Sequence, residues 1–269
     1  MDLQKISNMI RSRVIETSSN AHVPHLGSCL SCIDILIALY WEILKISPHN
    51  PTEISRDRFI LSKGHAAPAL FQVLAMKKFF PQSWLENYGR DGSLFGEHPP
   101  AHGVPGIEAA TGSLGHGLPI GVGLALGSAI HKIKNKIFVL LSDGECNEGS
   151  VWEAAMFAAA QKLNNLTIII DFNKWQATGR SEEVMALNPL CDKWNAFGWN
   201  ATEINGHDFS QIISALKQTS TKPTAIIAHT IKGKGVSFME DNNNWHYRIP
   251  TKEEVVSAKI ELGVVEELV

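Results

Sequence analysis

The sequence predicts an α/β fold, a doubly wound parallel sheet with helices on both faces, and three observations predict it. Short apolar runs recur along the chain, of which KIFVLLS (136–142), LTIIID (166–171) and TAIIAHT (224–230) are the clearest. They lack polar alternation, as strands buried on both faces require. Segments with apolar residues at helical spacing separate them, and polar clusters follow the strand ends, the edge at which such sheets bind ligands.

From the N-terminus, residues 3–19 and 32–46 read as two helices broken by the polar turn NAHVPHLGS. RFILS (58–62) reads as a buried strand ending at the turn Lys63-Gly64-His65, and residues 66–79 as a helix stopping before Pro81. Segment 80–110 is rich in Pro, Gly and His without a strong period and reads as a long functional loop. A Gly-rich helix over 115–131 follows, its small residues suited to close packing. Beyond it the expected order is strand 136–142, Ala-rich helix 149–164, strand 166–171, helix 190–197, strand 200–204, helix 208–219 and strand 224–230. A last short helix closes the chain. No repeat or linker divides it, so one domain over 1–269 is expected.

Composition excludes several classes. With 44% hydrophobic residues the chain has ample material for a core, and a net charge of −3 offers no basic excess for nucleic acid. No segment approaches the roughly 18–20 apolar residues of a membrane span, and the first residues hold no signal-peptide run. Of four cysteines, only Cys29 and Cys32 are closely spaced. The pair opens the apolar stretch CLSCIDILIALYW without a second pair or histidines at zinc spacing, so buried, reduced thiols and a cytoplasmic location are expected.

The most informative stretch is Ser142-Asp143-Gly144-Glu145, directly after an apolar strand. Asp143 projects from the strand end, Gly144 allows close backbone approach, and a helix beginning near Gly149 offers free N–H groups suited to phosphate. The next strand ends in Asp171-Phe172-Asn173-Lys174-Trp175. Asp143 and Asn173 side chains, a backbone carbonyl and two diphosphate oxygens make a suitable shell for Mg²⁺ or Ca²⁺.

The 30-residue separation of Asp143 and Asn173, and the frame DGExxEGSVWEAxxFAxxxKLxNLxxIxDxNK, resemble the thiamine-diphosphate signature of transketolases. The resemblance implies that Asp143 and Asn173 ligate the metal and that Trp175 contributes its carbonyl. It places Gly144 and Asn173 against the diphosphate of thiamine diphosphate. Ser142 stands where the family has Gly, and Trp175 where it has a smaller apolar residue.

Four of the eleven histidines match the same family pattern. His25, in HLGSCLS, resembles the substrate-contacting histidine, with Ser28 beside the cofactor and Leu26 replacing the family's Pro. His65 sits in RDRFILSKGHAAPAL, and His98 in GEHPPAHG, where Glu97 replaces a Gly and the following Pro favours His98 over His102. His246 follows KGKGVSFMEDNNNW, whose Lys232 falls at a cofactor-side lysine. ATGSLGHG supplies Gly112, Ser113 and Leu114 against the cofactor rings, with His116 in place of Gln. The resemblance covers about residues 5–250. Ketol transfer moves protons on sugar hydroxyls, and imidazoles near pH 7 suit that work.

The carboxylic acid that activates the cofactor in this family lies in a pyrimidine-binding domain, and Glu145, Glu148 and Glu153 sit at the diphosphate turn instead. The resemblance therefore implies the N-terminal subunit of a split transketolase, working on sugar phosphates with a C-terminal subunit, two copies of each. Met1 and an ending after a short helix favour a subunit over a truncated fragment. The Gly-rich helix 115–131 and the loop around Trp84, Leu94 and Phe95 are the candidate interface. The alternatives are a subunit of another thiamine-diphosphate enzyme, 1-deoxyxylulose-phosphate-synthase-like or 2-oxo-acid dehydrogenase, and a non-catalytic binding remnant.

Overall fold

The computed structural model describes residues 2–264. Five strands, β1 (Arg58–Leu61), β2 (Ile137–Ser142), β3 (Leu166–Phe172), β4 (Asn200–Asn205) and β5 (Thr224–His229), form one parallel sheet in the order β1-β2-β3-β5-β4. Each predicted strand is present within one residue of its expected ends. Alternate residues of the central strands enter two separate cores. Phe138, Leu140, Ile169 and Ile226 face one side, and Val139, Leu141, Ile168, Ile170 and Ile227 the other. This two-sided burial explains the unbroken apolar runs.

Helix placement follows from strand order. The chain steps in one direction from β1 through β4, and its connections carry α5 (Gly117–Ile130), α6 (Gly149–Ala160) and α8 (Leu190–Ala196) onto one face. It then reverses from β4 to β5, and right-handed crossover puts α9 (Phe209–Lys217) on the opposite face. That face is completed by α1 (Leu3–Ala21), α2 (Leu26–Ser31), α3 (Ile33–Ala38), α4 (Ala67–Met76) and α10 (Lys252–Glu261). Close packing of α5 is encoded in Gly121, where a Cβ would come within 2.5 Å of Val139 on β2.

Four local expectations change. The second helix starts at Leu26, inside the stretch read as a polar turn, and ends in a single π turn, Leu39–Ile43. Its Gly27 is required by packing, because a Cβ there would sit 3.0 Å from the Lys232 stem. A short helix, α7 (Ser181–Val184), follows the β3 loop, where none was expected. Phe95 is withdrawn from the candidate interface. It is buried, with Phe71 and Phe80 rings each 5.1 Å away, whereas Trp84 and Leu94 remain exposed. The final residues, Glu266 to Val269, lie outside the described residues.

Candidate functional site

The carboxyl ends of β2 and β3 carry two buried aspartates with different partners. Asp171, paired in register with Ser142, bonds the Lys63 ammonium and the Thr230 hydroxyl, and accepts from Ser31 Oγ at 2.6 Å. Lys63 also donates to the Ser28 carbonyl at 2.9 Å. Burial would raise the Asp171 pKa, but the Lys63 charge and these hydrogen bonds hold it below the ordinary value. Reciprocally, Asp171 holds the buried Lys63 protonated.

Asp143 has no such counter-charge. Its carboxylate accepts from the Gly144 N–H at 2.9 Å, the Lys174 N–H at 2.9 Å and Ser181 Oγ at 2.7 Å, all neutral donors. Burial, reinforced by the Asp171 charge, raises its pKa to about 6. Asn173, just past the end of β3, is buried, its Oδ1 accepting from the Trp175 N–H at 3.1 Å. Lys174, between Asn173 and Trp175, is left-handed at φ 70°. The Trp175 ring finds room under the Arg180 guanidinium, 3.8 Å away.

The four predicted histidines converge. The His25 ring lies 5.1 Å from His246, 5.4 Å from His65 and 6.5 Å from His98, centroid to centroid. His25 is left-handed at φ 71°, its N–H bonded to the His246 carbonyl at 2.7 Å. Gly112 packs on His98, since a Cβ there would meet the ring at 2.7 Å. Gly64 is equally constrained, since a Cβ there would stand 2.7 Å from the Gly112 nitrogen. Lys232 is buried and bonds Asn243 Oδ1 at 2.7 Å and His246 Nδ1 at 3.0 Å. Burial, then the Lys63 charge, brings Lys232 down to about 8. Burial, then Lys232, lowers His246 to about 3. Burial and the Lys63 charge lower His65 well below its ordinary value, and burial lowers His25 against the pull of Glu97. His25, His65 and His246 are therefore neutral near pH 7.

The remaining predicted residues lie around this centre. Ser28 is buried and its carbonyl serves Lys63. Leu114 is half-buried and Ser113 exposed; His116 is exposed, with Nδ1 on the Leu114 carbonyl at 3.1 Å. Glu145 braces the turn from inside. It bonds the Ser62 hydroxyl and accepts from the Gly115 N–H at 2.8 Å.

Does this arrangement fit a metal-bound diphosphate? No cluster of three His, Cys, Asp or Glu able to hold a metal occurs among the described residues, so a cation would need amide, carbonyl and ligand oxygens. Asp143 supplies an uncompensated buried carboxylate. Gln176 packs on Gly144, with Cγ 3.1 Å from where a Cβ would stand, and its Nε2 is buried without a hydrogen-bond partner. An unspent donor and an unspent negative charge at one turn fit such a group.

A family model described as "Transketolase, thiamine diphosphate binding domain" matches residues 3–268. The chain belongs to the transketolase family. It is 43% identical over 266 residues to an apulose-4-phosphate transketolase subunit from Phocaeicola vulgatus, covering 98% of this chain and 94% of that one. It is 42% identical to the 6-deoxy-6-sulfo-D-fructose transketolase subunit SqwG of a Clostridium species, covering 97% and 96%. Against human transketolase identity is 36%, over 91% of this chain but 39% of that protein. The Campylobacter jejuni transketolase structure superposes with a TM-score of 0.92 at 32% identity, over 98% of this chain and 43% of that one. The chain is thus the counterpart of the N-terminal subunit of two-chain transketolases.

Sequence reasoning missed four participants of this family site: the Lys63–Asp171 pair, Glu145 as a brace, Gln176, and Tyr247, whose ring lies 4.7 Å from His246. Lys63 and Asp171 were both visible as polar residues at strand ends. Their pairing across 108 residues was not.

Proposed function

We propose that this chain holds the diphosphate of thiamine diphosphate through Mg²⁺ (or Ca²⁺) and, with a partner subunit, moves a two-carbon ketol unit from a ketose phosphate to an aldose phosphate. The observation that carries the reading is the convergence at one sheet edge of an uncompensated carboxylate, Asp143, with four histidine rings. Asp143, Asn173 and the Trp175 carbonyl would ligate the metal, and Gly144, Gly112, Ser113, Leu114, Ser28 and Lys232 would line the cofactor. The cofactor supplies the carbanion-stabilising centre.

The chain's own residues orient substrate and move protons. His25 and His98, on loops outside the diphosphate turn, would hold sugar hydroxyls. His65, neutral at working pH, offers a lone pair to accept a hydroxyl proton, whereas neutral His246, its Nδ1 accepting from Lys232, would donate to a substrate oxygen from Nε2. The Lys232 ammonium on His246 Nδ1 directs the free nitrogen, Nε2, toward substrate.

The partner would be a C-terminal subunit carrying the pyrimidine-binding domain and its activating acid, two copies of each chain assembling in the cytoplasm. Trp84, Leu94, Ile120, Met156 and Phe157 are exposed apolar side chains available for that contact. Obligate interfaces commonly bury over about 2,000 Å². The test assays the purified chain with thiamine diphosphate, Mg²⁺ and ketose and aldose phosphates, then repeats it after co-expression with neighbouring genes. No transfer alone and transfer with a partner is expected. Robust ketol transfer by this chain alone would overturn the half-site reading.

A further inference from the structure

The loop following β3 is joined to the loop that precedes His246 by three side chains without an assigned role. Arg180 bonds both Asp241 oxygens at 2.7 Å. Trp175 Nε1 donates to Asp241 Oδ1 at 2.7 Å, and the Arg180 guanidinium covers the indole at 3.8 Å. Trp175 and Arg180 also face each other as an antiparallel bridge. Beneath them, Asn243 Nδ2 donates to the Ala177 carbonyl at 3.1 Å while its Oδ1 accepts from Lys232.

Asp143 takes the two ends of the same loop, through the Lys174 N–H and Ser181 Oγ. Between them lies Gln176, whose stem packs on Gly144 and whose buried Nε2 has no hydrogen-bond partner. The loop is therefore fixed at its base by Asp143 and at its tip by Asp241. The tip contact also ties it to the segment carrying Lys232 and His246.

We propose that Trp175, Arg180 and Asp241 form a latch that positions the Gln176 amide to donate to a phosphate oxygen of the bound cofactor and slows the cofactor's escape. The proposal rests on the thiamine-diphosphate reading given above. The latch side chains are positioning groups: the indole and the Arg180–Asp241 pair hold the loop, and the metal-ligand role proposed for Trp175 belongs to its backbone carbonyl alone. Gln176 is the contact they serve. A bidentate Arg–carboxylate pair is geometrically specific in a way that an ordinary surface ion pair is not, and here the indole N–H and ring restrain both partners. Asp241 is left-handed at φ 55°, which Asn also adopts readily, so Asp241→Asn removes charge while sparing the backbone.

The experiment uses the full chain co-purified with its partner. The release rate of thiamine diphosphate in Mg²⁺ is read by stopped-flow dilution, and trypsin cleavage after Lys174 and Arg180 is followed in parallel. Asp241→Asn and Trp175→Phe are each expected to speed release about 10-fold, the size of a lost ion pair combined with a lost aromatic contact. Both should speed trypsin cleavage after the already exposed Lys174 by loosening its loop, with KM for the sugar phosphates unchanged. Gln176→Leu should speed release by a similar factor without altering trypsin cleavage at Lys174, which separates the contact from the latch. Wild-type release and cleavage in Asp241→Asn and Trp175→Phe, both folded by circular dichroism, overturn the latch alone. Failure of the wild-type complex to bind thiamine diphosphate overturns the cofactor reading and the latch with it.

Discussion

Asp143 and Asp171 stand at the ends of neighbouring strands, equally buried, yet one is electrically complete and the other is not. Asp171 meets an ammonium and two hydroxyls, and its pKa is lowered. Asp143 meets two backbone amides and one hydroxyl, and its pKa is raised to about 6. A buried carboxylate without a counter-charge is costly and persists where a function holds it. The contrast supports the proposed reading, in which Asp171 is a structural carboxylate with its cation built in and Asp143 would take a cation delivered with the ligand.

The largest effect expected from breaking this contrast is at Lys63. Lys63→Ala leaves Asp171 buried without its cation, and loss of one partner of a buried pair costs about 3–5 kcal/mol. Urea unfolding of the full chain reads this, and adding Asp171→Asn should recover part of the loss. Asp143→Asn sharpens the same contrast from the other side. It removes a costly buried charge while altering one hydrogen bond, so the chain should keep its stability or gain up to about 3 kcal/mol at pH 7. Mg²⁺-dependent binding of thiamine diphosphate to the assembled enzyme should nevertheless disappear by calorimetry. Equal destabilisation by the Lys63 and Asp143 substitutions would erase the distinction.

The two aspartates also mark the limit of what the sequence made legible. Strands β1, β2, β3 and β5 were readable because each is buried on both faces and therefore continuously apolar, whereas the edge strand β4, partly exposed, was placed by its position in the strand–helix alternation. Asp143 was readable because it follows such a strand and precedes Gly144. Asp171 lies in an equally plain strand end, yet its role depends on Lys63, Ser31 and Thr230, which only the folded sheet brings together. Phe95 shows the same limit in the long loop, where no periodicity announced that an aromatic cluster would bury it. The helix start at Leu26 was masked by Gly27, which reads as a breaker but is demanded by the Lys232 stem. The histidines were legible as a set only through family spacing, since individually each resembles an ordinary surface histidine.

The smallest effect concerns the histidine cluster, which resembles Asp143 in being desolvated, although here the neutral form is favoured. His246 is lowered to about 3 by burial and then by Lys232, His25 and Lys63, with Tyr247 and His65 packed on its other sides. Above pH 6.5, the ordinary histidine value, folded and unfolded chains both carry His246 neutral and it contributes no pH dependence. Below that value the unfolded chain takes up a proton that the folded chain refuses. Stability therefore falls as pH drops from about 6.5 toward about 3. His65 and His25, also lowered, add to the same acid limb. His246→Gln keeps an amide oxygen that can accept from Lys232 and removes one titrating group. At pH 5 the protons taken up on unfolding should drop by up to about one per molecule, and the slope of stability against pH should shrink accordingly. Stability at pH 7.5 should hardly change. Urea titrations of both proteins from pH 7.5 to 5 measure this directly. An unaltered acid limb would mean that His246 takes its proton as readily in the folded chain as in the unfolded one. The imidazole would then be solvated rather than held neutral as a hydrogen-bond donor to substrate.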